Sequence, residues 1–368
     1  MPAGASGLPE QTVAATGRRG SGQRTSKQGT STVNKNVLVT GGAGYIGSHT
    51  SRQLIDAGYN VTVLDNLYSG HRWAIPDSAT FVEGDIRDHD LVKNTLAERN
   101  IGSVVNFAGY IVVPESVENP IEYYYNNTVG AHNVMRCCEE TGVDKFLFSS
   151  SAAVYGIPEE LPAAETSPVA PINPYGMSKL MTEYMLSDLG ATGRMNYIAL
   201  RYFNVAGASL DGKLGQSTPE ATHLIKVACE VATGKRDAIT VFGDDYPTPD
   251  GSCIRDYIHV EDLARAHVLG LDYLMNGGKS QVLNCGYGHG YSVKEVLDTF
   301  QQANAIEINI KQGPRRAGDP PELIANADKI RKVLQWHPQH NDLGLICKTA
   351  LEWEKKYLAM NSKKAQTI

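Results

Sequence analysis

The chain has 368 residues, of which 42% are hydrophobic, enough for a large core and one or two domains. Its formal net charge of −6 at pH 7 argues against nucleic acid or an anionic membrane surface as a partner. No apolar run approaches the ~20 residues that span a bilayer. The six cysteines show no CxxC spacing and the histidines no HExxH motif, so we expect reduced thiols, a cytoplasmic location and no metal site.

Residues 1–33 differ in composition from the rest of the chain. They are rich in Gly, Ser, Thr, Ala and Gln, carry four basic side chains and have almost no apolar periodicity. This composition predicts a disordered tail. Its low acidity is also typical of a transit peptide, but the amphipathic arginine pattern is poor and no signal-type apolar core is present.

The segment 37–65 predicts a strand, a glycine turn, a helix and a second strand. Gly41, Gly44 and Gly47 follow the apolar run VLV at a spacing of three, which suits a tight turn and a close approach of the backbone to a pyrophosphate. The following helix points free N–H groups at the phosphates. Asp65 ends the next strand, where its carboxylate can accept both ribose hydroxyls and repel a 2′-phosphate. The glycines alone are a weak signal, but this context predicts a site for NAD rather than NADP.

Two more strands and two helices follow. A third strand over 80–82 leads to Asp85, which either accepts the adenine amino group or caps the helix predicted over 90–100. A fourth strand over 103–107 ends in small residues, where backbone meets ligand. A long helix is predicted over 121–142, with Asn126 and Asn127 on it and Gly142 as its stop.

The fifth strand, over 145–148, continues into three serines. Hydroxyls at the carboxyl end of a parallel strand lie where ligands bind in open α/β sheets, although three serines also suit a turn. Pro174 then begins a helix that reaches about residue 189. Tyr175 and Lys179 lie four residues apart on one face of it. A free phenol has a pKa of about 10, and the nearby ammonium and a positive nicotinamide ring should lower that value and favour the phenolate.

A sixth strand is predicted over 196–203, after which the composition shifts to loops and scattered charges. This C-terminal part contains Arg255 and the pair Arg315 and Arg316. The forked guanidinium group of arginine suits a phosphate, and two separated arginine sites suit a diphosphate. For each of the two sites, the alternative is that the arginines are solvated surface charges. We therefore predict an α/β fold, with a Rossmann-type doubly wound parallel sheet over 34–205. A smaller α/β substrate-binding domain occupies 206–368, with some segments returning to the first domain.

The ordered set of motifs TGGAGYIG, GDIRD, SSSAAVYG, PYGMSK, RYFN, DGSCIRDYIHVEDLA and RRAGD resembles the UDP-sugar 4-epimerases of the extended short-chain dehydrogenase/reductase family. The resemblance covers about residues 34–358. It implies interconversion of UDP-glucose and UDP-galactose: Tyr175 takes the proton of the sugar 4-hydroxyl while hydride passes from C4 to NAD, and hydride then returns to the other face of a 4-keto sugar. It also implies a homodimer.

The resemblance further implies three sets of site residues. The catalytic residues would be Ser151, Tyr175 and Lys179. NAD would be contacted by Gly41, Gly44, Tyr45, Ile46, Gly47, Asp65, Asn66, Asp85, Ile86, Phe107, Asn127, Tyr175, Lys179 and Tyr202. The UDP-sugar would be contacted by Ser151, Tyr175, Asn204, His223, Leu224, Arg255, Tyr257, Arg316, Asp319 and Leu323.

Some positions depart from the family pattern. Asn106 stands where the family commonly has a His, and Ile111 where some members have a cofactor-binding Lys. Pro114 replaces a Gly, and His223 stands where some members have an Asn at the substrate. Leu323 lies where the family lines the pocket for the substituent at sugar C2, or else it packs in the core. The alternatives are an epimerase of UDP-xylose/arabinose or UDP-N-acetylglucosamine, a sugar-nucleotide 4,6-dehydratase, and a non-enzymatic NAD-binding module.

Overall fold

The computed structural model of the chain describes residues 34–219, 221–316 and 319–365, so the predicted tail over 1–33 lies outside it. The strands of the described residues are β1 (Asn36–Thr40), β2 (Asn60–Asp65), β3 (Thr80–Glu83), β4 (Ser103–Asn106), β5 (Lys145–Ser149), β6 (Asn196–Tyr202), β7 (Asn204–Ala206), β8 (Ile239–Phe242), β9 (Ile254–Arg255), β10 (Tyr257–His259), β11 (Gln281–Cys285), β12 (Tyr291–Ser292), β13 (Ile310–Gly313) and β14 (Glu322–Leu323).

The helices of the same residues are α1 (Tyr45–Asp56), α2 (His89–Glu98), α3 (Val113–Glu118), α4 (Pro120–Tyr123), α5 (Gly130–Thr141), α6 (Pro174–Ala191), α7 (Leu224–Ala232), α8 (Val260–Met275), α9 (Val293–Asn304), α10 (Asp328–Leu334) and α11 (Leu343–Ala365). Among them, none is long and apolar enough to cross a membrane.

The central sheet has seven parallel strands in the order β3-β2-β1-β4-β5-β6-β11. The order reverses between β1 and β4, so the chain leaves these two strands toward opposite sides and opens a crevice at their carboxyl ends. This confirms the predicted Rossmann-type doubly wound sheet. The seventh strand, β11, comes from the C-terminal half of the chain.

Alternating residues of each strand face the two sides of the sheet, as in β5. Leu147 packs in the core on the side covered by α1 and α8, whereas Phe146 and Phe148 pack on the side of α2, α5 and α6. All three are buried. Helices on both faces explain why the strands are almost wholly apolar.

The long helix predicted over 121–142 forms as α4, a π-helical turn over Tyr124–Val129 and α5, and Gly142 ends it in the left-handed region at φ 78°. Asp88, not Asp85, caps α2, because its side chain accepts from the amide of Leu91 at 3.0 Å. The capping alternative for Asp85 is therefore wrong.

The remaining strands form three small sheets over the carboxyl edge of the large one. β7 pairs with β10, β8 with β13, and β9 lies between β12 and β14. They place Arg255 on β9 next to Leu323 on β14.

Candidate active site

One cavity of about 690 Å³ extends along the carboxyl edge of the central sheet, from the glycine turn after β1 to β9 and β14. Every predicted site residue except Asn127 lines it. On the side of the predicted cofactor these are Gly41, Gly44, Tyr45, Ile46, Gly47, Asp65, Asn66, Asp85, Ile86, Phe107 and Tyr202; in the middle, Ser151, Tyr175 and Lys179; toward the small sheets, Asn204, His223, Leu224, Arg255, Tyr257, Arg316, Asp319 and Leu323.

The glycine turn leaves room for a diphosphate. Gly41 has φ +70°, and a Cβ there would lie 2.6 Å from the amide nitrogen of Ala108. A Cβ at Gly47 would overlap the carbonyl of Gly41, so α1 packs closely on the turn. A Cβ at Gly44 would meet the Gly41 carbonyl oxygen at 3.2 Å and otherwise enter the cavity. The turn and the N-terminus of α1 therefore fit a pyrophosphate.

The Asp65 carboxylate is fixed at the end of β2 by two backbone amides. Its Oδ2 accepts from Ala43 at 2.9 Å and its Oδ1 from Leu67 at 2.8 Å. Burial raises the pKa of Asp65, and the two amide hydrogen bonds oppose that rise. The geometry holds an acceptor for ribose hydroxyls where a phosphate would be repelled.

Asp85 presents its carboxylate to the same end of the cavity. It accepts from the guanidinium of Arg87, at 2.6 Å to Nη2, and from the Nδ2 amide of Asn66 at 3.2 Å. The hydrogen bond from Arg87 is the main reason why the pKa of Asp85 lies below its ordinary value.

The three predicted catalytic residues meet in the middle of the cavity. Ser151, Tyr175 and Lys179 all line the cavity at this point. The Lys179 ammonium donates to the Ser149 carbonyl at 2.8 Å and lies 5.9 Å from the centroid of the Tyr175 ring. Ser151 also begins a 3₁₀ turn by accepting from the amide of Ala153 at 3.1 Å. The serines thus form a turn and also present a hydroxyl at the site.

Burial dominates the electrostatics of this cluster. Burial raises the pKa of Tyr175, and the neighbouring Ser151 side chain opposes the rise. Burial also lowers the pKa of Lys179 to about 8. Desolvation is therefore the main influence on the pKa values of both side chains.

A buried network fixes the strand ends beneath the cluster. The Ser150 hydroxyl donates to Glu183 at 2.5 Å, and Glu183 is paired with Arg201 at 2.6 Å, with both side chains nearly inaccessible to solvent. Arg201 also donates to the Tyr155 hydroxyl at 3.0 Å. Because the network ties β5, β6, α6 and the turn after Ser151 together, it limits the movement of Ser151.

The arginine pair separates into two environments. The Arg316 guanidinium lies 4.4 Å above the Phe242 ring and lines the cavity. Arg315 pairs with Asp245 at 2.5 Å, is about half exposed, and is not among the lining residues. Surface charge is thus the correct interpretation for Arg315. Arg255 lies 3.7 Å from the Asp319 carboxylate and faces the cavity.

Two further predicted contacts have mixed environments. Leu323 is 9% exposed; it belongs to an apolar cluster with Ala152 and Phe203 and also lines the cavity. Its contact with the substituent at sugar C2 stays a prediction. His223 precedes α7, with its Nδ1 at 3.0 Å from Nε2 of Gln216, and burial lowers its pKa.

Asn127 lies behind the wall of the cavity. Its Oδ1 accepts from the Tyr110 amide at 2.7 Å, and its Nδ2 donates to the Tyr110 carbonyl at 3.0 Å. The side chain therefore shapes the loop after β4, although it does not line the cavity itself. Lining residues that the sequence did not suggest include Tyr68, Tyr110, Asn173, Gln216, Arg236, Thr240 and Phe242. Of these, only Asn173 carries a local signal, because it caps α6 just before Pro174.

Comparison with known proteins agrees with this geometry. The family model described as "NAD dependent epimerase/dehydratase family" matches residues 37–286. The chain is 52% identical over 319 residues to a UDP-glucose 4-epimerase of Azospirillum brasilense, covering 87% of this chain and 92% of the relative.

Two solved structures extend the comparison. The UDP-glucose 4-epimerase of Brucella ovis in complex with NAD has a TM-score of 0.84 at 44% identity, covering 86% of this chain and 97% of that one. The UDP-Glc/GlcNAc 4-epimerase of Campylobacter jejuni has a TM-score of 0.77 at 50% identity, covering 88% and 99%. The family resemblance seen in the sequence is confirmed: the chain belongs to the NAD dependent epimerase/dehydratase family.

Proposed function

We propose that the chain is an NAD-dependent UDP-glucose 4-epimerase, which interconverts UDP-glucose and UDP-galactose. The observation that carries the proposal is the cluster of Ser151, Tyr175 and Lys179 in the middle of one cavity. On one side of this cluster lies a glycine turn fitted to a dinucleotide, and on the other side lie Arg255 and Arg316. The relatives named UDP-glucose 4-epimerase support the same function.

The cofactor is NAD. The glycine turn and the N-terminus of α1 would hold its pyrophosphate, and Asp65, fixed by the Ala43 amide, would accept hydrogen bonds from the hydroxyls of one ribose. Lys179 and Tyr202 lie at the opposite end of this half of the cavity, where the nicotinamide half would bind. The Tyr202 hydroxyl accepts from Ser149 at 3.0 Å, which fixes its ring.

Bound there, NAD would supply the acceptor for the hydride of sugar C4 and would be its source when hydride returns to the opposite face of the 4-keto sugar. The protein residues handle the accompanying proton. Tyr175 removes the proton from the 4-hydroxyl, and Ser151 donates a hydrogen bond to the same oxygen. Because burial raises the pKa of Tyr175, the phenolate depends on positive charge at the site, to which the Lys179 ammonium contributes.

The UDP half of the substrate occupies the end of the cavity toward the small sheets. The forks of Arg255 and Arg316 bind the diphosphate, and Asp319 orients Arg255 from 3.7 Å. Asn204, His223, Leu224 and Tyr257 complete this wall.

Other functions are disfavoured by particular residues. A 4,6-dehydratase needs an acid and a base that act at C5 and C6 of the sugar, beside the catalytic hydroxyl. In this chain the neighbours of Ser151 are Ser150 and Ala152, and neither side chain can serve as that acid or base. The Ser150 hydroxyl is committed to Glu183 beneath the sheet. Within the epimerases, N-acetylated sugars are less favoured because Leu323 offers no polar atom to an amide. UDP-xylose and UDP-arabinose differ from the hexose substrates only in lacking a group at C5 of the sugar. Epimerisation of this pair is therefore the second candidate function.

We also propose that the protein is a homodimer in the cytoplasm. Ile121, Tyr125 and Val129 are 73%, 48% and 45% exposed at a spacing of four residues. Met181 and Tyr184 on the adjacent α6 are exposed beside them. An apolar patch of this kind is typical of a subunit interface. The six cysteines are all free and buried, which suits a reducing compartment.

The test is to offer the purified protein a panel of UDP-sugars and follow the products by NMR. We expect conversion of UDP-glucose and UDP-galactose, and a loss on the order of 10²-fold or more in Tyr175→Phe with NAD still bound. Near-normal turnover by Tyr175→Phe would reject the assigned base. Absence of turnover with every UDP-sugar would reject the enzyme in favour of an NAD-binding module.

A further inference from the structure

Two tyrosine side chains meet in front of the glycine turn. Tyr68 follows β2 and Tyr110 follows β4, and their ring centroids are 4.8 Å apart with the ring planes tilted by 43°. Both residues line the cavity, and Tyr68 is 62% exposed. Nothing in the proposed reaction requires either ring.

The topology of the sheet places this contact across the cofactor crevice. β1 lies between β2 and β4, so the glycine turn after β1 lies between the loops that carry the two tyrosines. The loop of Tyr68 lies on that turn, because the amide of His71 donates to the Ala43 carbonyl at 3.0 Å. A contact between the loops on either side therefore spans the crevice into which the pyrophosphate fits.

The two ends of this contact differ in how firmly they are held. Asn127 binds both the amide and the carbonyl of Tyr110, and the Tyr110 ring packs at 5.6 Å on the buried Tyr123. Tyr68 is held locally, by its amide donating to the Asn66 side chain at 3.1 Å, after Leu67 at a left-handed φ of 58°. Tyr110 is thus a fixed support, and Tyr68 is the end that can move away.

We propose that Tyr68 and Tyr110 form an aromatic bridge that closes over bound NAD and slows its release. The proposal rests on the proposed function, in which NAD is regenerated in every cycle and is best kept bound. For a dinucleotide to leave or enter the crevice, the two rings must separate. An aromatic pair contributes about 0.5–1.5 kcal/mol beyond its buried area, so its loss should speed release about 2- to 10-fold.

The experiment measures NAD release from the purified holoenzyme. Wild type, Tyr68→Ala, Tyr110→Ala and the double variant are diluted, and NAD in the filtrate is assayed over time. We expect each single variant to release NAD about 2- to 10-fold faster than wild type. The double variant should add little to either single variant, because both changes remove the same contact.

Two controls separate the bridge from general loosening. Tyr68→Phe keeps the ring and should release NAD at the wild-type rate. Leu210→Ala changes a side chain that is 54% exposed and outside the lining, and should also match wild type. Because Tyr68 is itself largely exposed, Tyr68→Ala should fold normally. If Tyr110→Ala fails to fold, the rate of NAD release from Tyr68→Ala alone tests the bridge.

Wild-type release from Tyr68→Ala, or effects that multiply in the double variant, would overturn the bridge. A wild-type protein that carries no NAD would overturn both the bridge and the proposed cofactor. Faster release from the variants of a protein that converts no UDP-sugar would reject the proposed function and leave the bridge in place.

Discussion

The buried Lys179 ammonium should make the stability of the protein depend on pH in a way that one substitution removes. The lysine lies in the active-site cluster, only 3% exposed, and burial lowers its pKa from the ordinary 10.5 to about 8. At roughly 1.4 kcal/mol per pH unit, holding this charge in the folded protein at pH 7 costs about 3 kcal/mol of unfolding free energy.

The sign of the dependence follows from which state binds the proton. Below pH 8 the lysine is protonated in both states, and the full cost is present. Between pH 8 and about 10.5 the folded protein releases the proton while the unfolded chain keeps it, so stability rises with pH. Lys179→Met cannot titrate at this position and should lack that rise.

The assay is urea unfolding of both proteins, stripped of NAD, at several values from pH 7 to pH 10.5. Relative to Lys179→Met, the unfolding free energy of wild type should increase by about 3 kcal/mol over this range. The packing of methionine and the lost hydrogen bond to Ser149 shift the two curves by a constant and leave this difference unchanged. Parallel curves for the two proteins would refute the reasoning that the ammonium is held at a desolvation cost.

Three further predictions concern other parts of the site. Leu323→Ser supplies a hydroxyl in the cavity wall and should raise activity on UDP-N-acetylglucosamine relative to UDP-glucose; an unchanged ratio in the NMR assay would show that this side chain does not control access. Glu183→Ala leaves the Arg201 charge buried without its partner and should cost about 3–5 kcal/mol of stability in urea unfolding; a loss below about 1 kcal/mol would contradict the network. Cofactor-stripped wild type supplied with NADP should show no turnover because of Asp65, and tight NADP binding in calorimetry would reject the ribose assignment.

The sequence predicted the position of site residues best where a residue lies at a defined point of a strand or helix and the sheet topology fixes where that point lies in the fold. Asp65 and Ser151 could be placed at the cavity because each lies at the carboxyl end of a parallel strand, and the carboxyl ends of such strands share one edge of the sheet. Tyr175 and Lys179 follow from helical spacing and from the serines one strand earlier. For these residues, position along an element already determines position in the fold.

Other features depend on contacts that no local pattern records. Arg315 and Arg316 are neighbours in sequence, and only the packing of Phe242 and Asp245 sends one to the cavity and the other to the surface. The rise that burial causes in the pKa of Tyr175 depends on the whole surrounding core. The pairing of Tyr68 with Tyr110 joins two loops across an intervening strand.

The position of β11 has a consequence for synthesis of the chain on the ribosome. β6 ends at Tyr202, yet the strand that pairs with its outer edge begins only at Gln281. α8, which covers β5 and β6 on one face, also lies beyond Tyr202. Until this later segment emerges, the nascent sheet has an open edge and an uncovered apolar face, both of which favour aggregation. Chaperone binding to the growing chain should therefore persist until β11 is available.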